Sequence, residues 1–283
     1  MLKAGLDRGS VVVGLGGGVV TDLAGFVAAT YMRGIPWVAV STSLLGQVDA
    51  SVGGKTAVDH PECKNLIGAF HQPSAVLADV TTLATLPEEE LRTGLSEVVK
   101  HALIRDAALF DTLEAAPDAI LAREPTVLEN VVTRNVRIKA DVVMADEREG
   151  GLRRILNYGH TVGHALETLA METGGRLAGA AVTHGRAVAL GMMAEAQIAA
   201  ARGTAEAGVV GRQRALLERF GLPVCLDEAP DVERCLAIMR HDKKAQGGRL
   251  RVILPEAVGT VRDVDDVTDD EIREALLSLA AGC

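Results

Sequence analysis

The run Val11-Val12-Val13-Gly14-Leu15-Gly16-Gly17-Gly18-Val19-Val20-Thr21-Asp22 constrains what this chain can fold into more than any other stretch. A short β-branched run reads as a buried strand, the glycines as a tight turn, and the residues beyond as a helix. Strand, turn and helix in that order make the repeating unit of an α/β sheet. Glycines at such a turn let backbone amides approach a phosphate, and the helix N-terminus favours the anion. Close strand–helix packing explains the same glycines equally well. The pattern is neither G-x-G-x-x-G nor the lysine-bearing phosphate loop.

A second strand follows at Trp37-Val38-Ala39-Val40 and ends in Ser41-Thr42-Ser43. Beyond it, Gln47-Val48-Asp49-Ala50-Ser51-Val52-Gly53-Gly54-Lys55, with Lys64-Asn65 after it, reads as a loop. It places an acid, two lysines and an amide beside a glycine-rich backbone, which suits a phosphorylated polyol. From Pro87-Glu88-Glu89-Glu90 onward the periodicity becomes helical, with proline at a helix start and acids in the first turn. The expected organisation is an α/β part over 1–86 and a mainly helical part over 87–283. The cleft between two such parts is the expected place for ligands.

The helical part carries the chemistry-bearing residues. In Asn157-Tyr158-Gly159-His160-Thr161-Val162-Gly163-His164 a helix puts His160 and His164 one turn apart on one face. Neutral imidazoles at that spacing suit zinc, or are two histidines satisfied by core hydrogen bonds. Thr161 follows the first histidine where a zinc protease has glutamate. Ser96-Glu97-Val98-Val99-Lys100-His101 puts Glu97 and Lys100 on one helix face, as an ordinary solvated pair or as something more. Beside His160 and His184, Glu97 completes a His-His-carboxylate set with room for an exchangeable ligand, the form of a catalytic zinc site. His60, His71, His101 and His241 read as loop or helix-surface residues. Val143 to Gly150 reads as a charged turn.

A net charge of -9 on 283 residues argues against nucleic acid or an anionic membrane as partner. Cys63, Cys225, Cys235 and Cys283 are scattered, so neither a disulfide framework nor a thiolate cluster is indicated. With no signal peptide and no apolar run of spanning length, a cytoplasmic enzyme is expected.

The segments G-G-G-V-V-T-D-L-A-G-F from Gly16, Q-V-D-A-S-V-G-G-K from Gln47 and K-N-L-I-G-A-F from Lys64 are followed by S-E-V-V-K-H from Ser96, L-N-Y-G-H-T-V-G-H from Leu156 and the late His184-Gly185. In that order, they resemble the 3-dehydroquinate synthase family, over the chain from Val11 onward. The resemblance implies an incomplete Rossmann-like NAD-binding α/β domain followed by a helical metal and substrate domain. It implies zinc, or cobalt, on Glu97, His160 and His184. It implies NAD at Gly17, Gly18, Val19, Val20, Thr21 and Asp22, with Thr42, Ser43, Lys55, Lys64, Thr82, Leu83 and Thr85 also lining the cofactor or substrate. The substrate implied is 3-deoxy-arabino-heptulosonate 7-phosphate. Its contacts fall on Asp49, Lys55, Asn65, Lys100, Lys139, Arg153, Asn157, His164 and a lysine of the Lys243-Lys244 pair. Arg33 matches an arginine that the family supplies across a homodimer interface.

The residue types suit that chemistry. A secondary alcohol is oxidised, phosphate is eliminated, the ketone is reduced again and an aldol step closes the ring. Oxidation needs a hydride acceptor and a Lewis acid, and the leaving phosphate needs cations and amide donors such as Lys55, Asn65, Arg33 and Lys139. The chain departs from the family pattern in three places. It begins almost at the glycine turn and so reads as N-terminally truncated, it has Arg186 where glutamate is usual, and its connection from Glu172 to Ala181 is longer. Alternative readings are a sister cyclase acting on another sugar phosphate, a polyol dehydrogenase, and a catalytically silent truncated homologue.

Overall fold

Three parallel strands organise the first part of the chain, the first two in valine-containing apolar runs and the third in the short apolar run Ala75–Ala78. The structure is a computed structural model that describes residues 1–60, 63–177, 179–245 and 250–281, with the side chains of 59, 60, 63–65 and 242–245 outside the description. In chain order the elements are β1 (Val12–Gly16), α1 (Gly18–Thr30), β2 (Trp37–Ser41), β3 (Lys55–His60), β4 (Cys63–Phe70) and β5 (Ala75–Ala78). There follow α2 (Glu88–Arg105), α3 (Ala107–Ala115), α4 (Pro117–Leu121), α5 (Pro125–Ala145) and α6 (His160–Glu172). After β6 (Arg176–Leu177) and β7 (Ala180–Ala181) come α7 (His184–Ala201), α8 (Val209–Arg219), α9 (Val232–Ala245), β8 (Val252–Ala257), β9 (Thr260–Val264) and α10 (Asp269–Ala281).

The chain divides into two compact units, residues 1–94 with 122–147, and 95–121 with 148–283. In the first unit β1, β2 and β5 form a parallel sheet in that order. Helix α1 lies directly on it: a Cβ at Gly14 would stand 2.7 Å from the Ala24 methyl, so only glycine allows the approach. Ala28, Ile35, Trp37 and Ala39 make the small core between them. The α/β part followed by a mainly helical part agrees with the expectation.

The expected loop after Gln47 is different in detail. Gly46–Ala50 is a short π-type turn, and β3 (Lys55–His60) and β4 (Cys63–Phe70) pair antiparallel, with Val58 opposite Ile67. The signal was the β-branched alternation Thr56, Val58, outweighed in the sequence by the neighbouring glycines. Gly68 lies opposite Ala57, where a Cβ would come 2.4 Å from the Thr56 carbonyl oxygen. A second correction concerns the charged tract after Val143, which stays helical to Ala145 before turning.

In the second unit α2 is buried almost all round from Leu91 to Ile104. His101 is therefore not a surface residue as expected but 0% exposed, because this helix has no solvent face there to offer it. Helices α6, α7, α9 and α10 pack together around apolar positions such as Leu166, Leu169, Val188, Ile198, Leu236 and Leu276. Cys225 is disulfide-bonded, a pairing that cysteine spacing does not encode. Among the described residues, no helix is long and apolar enough to cross a membrane.

Candidate functional site

The second unit concentrates charge where its core should be apolar. Glu97 and Lys100 face each other three residues apart on α2, and their side chains are 0% and 2% exposed. Desolvating such a pair costs several kcal/mol, and hydrophobic residues of equal volume serve stability as well or better. A buried charged pair of this kind is a candidate functional position. Two histidines converge on it. His160 opens α6 and His184 opens α7, so both rings sit at helix starts. Their Nε2 atoms lie 3.5 and 3.6 Å from the same Glu97 Oε1.

Those separations are too long for good hydrogen bonds, yet they suit a shared ion. A tetrahedral ion bound at 2.0–2.2 Å has ligand–ligand edges of roughly 3.3–3.6 Å. One donor atom from each of Glu97, His160 and His184 lies within 4.8 Å of the others. The His160 Nδ1 is turned away, 3.2 Å from the Tyr158 carbonyl oxygen, so donation there leaves Nε2 as the lone-pair nitrogen. Burial, aided by Lys100, holds the His160 pKa well below its ordinary value despite Glu97. His160 is thus neutral and fit to ligate at neutral pH. Burial also pushes His184 down, but hydrogen bonds and charge from Glu167 and Glu97 outweigh it and bring it to about 9. The residues present fit a divalent ion, whose binding at His184 would displace the proton held there by the two carboxylates.

A close helix pair sets this geometry. A Cβ at Gly191 on α7 would come 1.9 Å from the Gly159 carbonyl oxygen, and one at Gly163 would come 2.9 Å from that of Ala187. Gly159 also has φ 78, a conformation that favours glycine, and it turns the chain into α6. The α6 N-terminus is closed by Glu195, whose carboxylate accepts the Gly159 and Val162 amides at 2.7 and 3.4 Å. Glu195 is 0% exposed, and burial raises its pKa to about 8. Tyr158, also buried, has its hydroxyl 2.5 Å from Gln213 Oε1.

The other expected residues are distributed as follows. His164 is exposed, with its ring 5.2 Å from that of His160, and it lies outside the three-donor group. Arg153 is 2% exposed. Asn157 donates to Glu149 Oε1 at 2.7 Å. In the first unit Lys139, 7% exposed, reaches Asp49 through both its carboxylate and its carbonyl, at 2.6 and 2.7 Å.

Gly17 caps α1, and Gly18, Val19 and Val20 form its first turn, where the Gly18 and Val19 amides have no intrahelical acceptor while the Val20 amide donates to the Gly17 carbonyl at 3.0 Å. Added methyls at Gly17 and Gly18 would approach Ser43 Oγ and the Ala50 methyl at 3.3 Å each. This half-buried, glycine-lined helix start is of a kind that suits an anionic group. Thr21 turns its hydroxyl back to the Gly18 carbonyl at 2.9 Å, and Asp22 is half-buried one residue on. Ser43 Oγ accepts the Gly46 amide, Thr42 is half-buried, and Lys55 is exposed at the start of β3. Thr82 donates to the Asp79 carbonyl, Leu83 is buried in the core, and Thr85 is exposed. Arg33 is exposed and, with Met32, adopts left-handed backbone at φ 69 and φ 50, a strain worth noticing at a non-glycine pair. Lys64, Asn65, Lys243 and Lys244 have side chains outside the described residues.

Three acids escaped the sequence reading. Glu149 partners Asn157, Glu167 stands beside His184, and Glu195 caps α6. Two left a signal. Glu167 follows His160 and His164 at helical spacing on one face, and Glu195 is a lone acid in the apolar run of α7.

Solved structures define the class first. The chain matches 2-epi-5-epi-valiolone synthase from Streptomyces hygroscopicus, solved with NAD+ and Zn2+, at 33% identity and TM-score 0.89, covering 100% of this chain and 77% of that one. It matches 2-deoxy-scyllo-inosose synthase, complexed with carbaglucose-6-phosphate, NAD+ and Co2+, at 27% identity and TM-score 0.83, covering 98% and 76%. The fold is that of the sugar phosphate cyclases.

Within that class the assignment is narrower. Residues 1–93 match the 3-dehydroquinate synthase N-terminal family and residues 94–245 the C-terminal one. The 3-dehydroquinate synthase of Symbiobacterium thermophilum is 52% identical over 279 residues, 98% of this chain and 76% of its own length. That of Nostoc punctiforme is 48% identical over 277 residues, 97% and 74%. The chain belongs to the 3-dehydroquinate synthase family.

Proposed function

We propose that this chain converts 3-deoxy-arabino-heptulosonate 7-phosphate to 3-dehydroquinate and phosphate, as a phosphate-eliminating lyase that uses NAD and a divalent ion, zinc or cobalt. The observation that carries the reading is the buried Glu97 with the His160 and His184 nitrogens at the edges of one tetrahedral site. Membership of the family supplies the reaction, and the donor set supplies a place for its metal. When bound, NAD takes up and returns a hydride, while the ion acidifies the alcohol being oxidised.

The remaining work falls to the chain's own side chains. Glu97, His160 and His184 hold the ion. Lys100, kept at Glu97 by their ion pair, limits the negative charge of the donor set and presents a cation to an anionic substrate. Arg153, with a planar fork of donors, suits the substrate carboxylate. Asn157 is aligned by Glu149 and donates to a substrate hydroxyl, and His164, exposed beside the ligands, is a polar or proton-relay contact. The substrate's own phosphate serves as base in the elimination. In the first unit, Gly17 to Asp22 receive the cofactor phosphates, with Thr42, Ser43, Lys55, Lys64, Thr82, Leu83 and Thr85 nearby. Lys139, held by Asp49, supplies positive charge for phosphate, and Asn65 and the Lys243-Lys244 pair complete the substrate contacts. We divide the roles at residues 1–86 for cofactor and 87–283 for metal and substrate. Arg33 acts across the interface of a homodimer, and the protein works in the cytoplasm.

Phosphate release tests the reading. With zinc and NAD present, the heptulosonate phosphate should release phosphate far faster than a heptulose phosphate lacking the carboxylate. Equal rates, or preference for the second, would assign the chain to a sister cyclase activity instead.

A further inference from the structure

Glu167 belongs to neither the donor set nor any substrate contact assigned above, yet it stands against a metal ligand. It lies on α6, its side chain is 12% exposed, and its Oε2 is 3.4 Å from His184 Nδ1. The opposite ring nitrogen of His184, Nε2, is the one that faces Glu97 Oε1 at 3.6 Å. The two carboxylates therefore address opposite edges of one imidazole. Glu167 is also absent from the group of donors that share one 4.8 Å neighbourhood, so it is not itself a ligand candidate. His160 repeats the arrangement with a different acceptor, its Nδ1 lying 3.2 Å from the Tyr158 carbonyl oxygen. In both rings Nδ1 is engaged away from the donor set and Nε2 is directed into it.

We infer that Glu167 is a positioning residue that holds His184 in the Nδ1–H tautomer and fixes its ring so that Nε2 points at the ion. The inference rests on the metal reading of Glu97, His160 and His184. The physical need is clear from the two helices involved. His184 is the first residue of α7, where a side chain has no preceding helical turn to restrain it, and it is more exposed than His160, at 31% against 15%. His160 is held by its own chain two residues back, whereas His184 depends on a partner from a different helix. A carboxylate acceptor on a ligating imidazole also raises the basicity of the metal-bound nitrogen, and losing such a partner typically costs about 10–100-fold in metal affinity.

The test compares wild type with Glu167→Ala and Glu167→Gln. Zinc affinity is read by chelator competition with zinc alone, the visible spectrum is read after cobalt loading, and unfolding is followed in metal-free protein. E167A should weaken zinc by about 10–100-fold and alter the cobalt spectrum. E167Q, whose amide oxygen still accepts from Nδ1–H, should recover much of both, and metal-free unfolding should change little. Wild-type affinity and an unchanged cobalt spectrum in E167A would overturn the inference. So would equal zinc loss in both variants accompanied by a matching fall in metal-free stability. A measurement on the unaltered protein stands beside the variants: imidazole nitrogen NMR of the zinc form should show His184 protonated at Nδ1 and metal-bound at Nε2, and the reverse tautomer would refute the role. Failure of wild type to bind zinc at all would instead remove the metal reading on which the role depends.

Discussion

At the scale of single residues, the site depends on polar groups that are buried and shared. Replacing Glu97, His160 or His184 with alanine should each lower bound zinc, measured by elemental analysis after dialysis, to well below one equivalent. Replacing His164 should keep the metal and reduce turnover. Zinc retained in all three ligand variants would remove the donor set, and zinc lost with His164 would redraw it. Glu195 gives a pH prediction. Its folded pKa of about 8 lies above the ordinary 4.5, so the folded state binds an extra proton between those values. Its contribution is therefore greatest below pH 4.5 and declines as pH rises toward 8, by up to about 1.4 kcal/mol per pH unit. Denaturant unfolding of metal-free protein should show that decline in wild type and a flatter profile in Glu195→Gln. Parallel profiles would show that the carboxyl is already ionised in the fold.

Individual residues also show what the sequence could and could not reveal. Motif order and the family resemblance single out Glu97, His160 and His184 as candidates although they lie on three different helices, which helix periodicity alone does not connect. The burial of His101 and the role of Glu195 were not legible, because both depend on which helix packs against which. Lone polar residues in apolar helices are the trace such packing leaves in a sequence.

At the scale of elements, the decisive feature is the approach of α6 to α7. Gly191 leaves no space for a methyl, since its Cβ would overlap the Gly159 carbonyl oxygen at 1.9 Å. Gly191→Ala should push the helices apart, cost on the order of 1–3 kcal/mol or more in stability, and displace His160 relative to His184. Gly211→Ala on α8 is the matched control, because nothing lies within 4 Å of its added methyl. It should be neutral or stabilising by up to about 1 kcal/mol, through helix propensity and a less disordered unfolded chain. Unfolding midpoints and zinc content of the two variants check the contrast. Comparable behaviour of both would mean that the seam relaxes easily. The β3–β4 pair shows the opposite limit of legibility: its glycines, needed for close backbone approach at Gly68, disguised two strands as a loop.

At the scale of the whole molecule, the chain spans 76% of the length of its Symbiobacterium relative, and β1, an edge strand of the first unit's sheet, carries exposed apolar side chains. Val13 and Leu15 on β1 are 60% and 65% exposed, and Val19 and Leu23 on α1 are 76% and 49% exposed. An uncovered strand edge with apolar neighbours is a pairing surface. Leu15→Lys should reduce concentration-dependent self-association in sedimentation experiments, and unchanged association would place the contact elsewhere. The glycine turn that should receive NAD opens from the same strand, at Gly16 to Gly18.

Binding of NAD to the zinc-loaded chain, followed by titration calorimetry, tests the central claim most directly. Saturable binding with a stoichiometry near one is expected, weakened by substitutions at Gly17 or Gly18. No measurable binding by folded, zinc-loaded protein would contradict it.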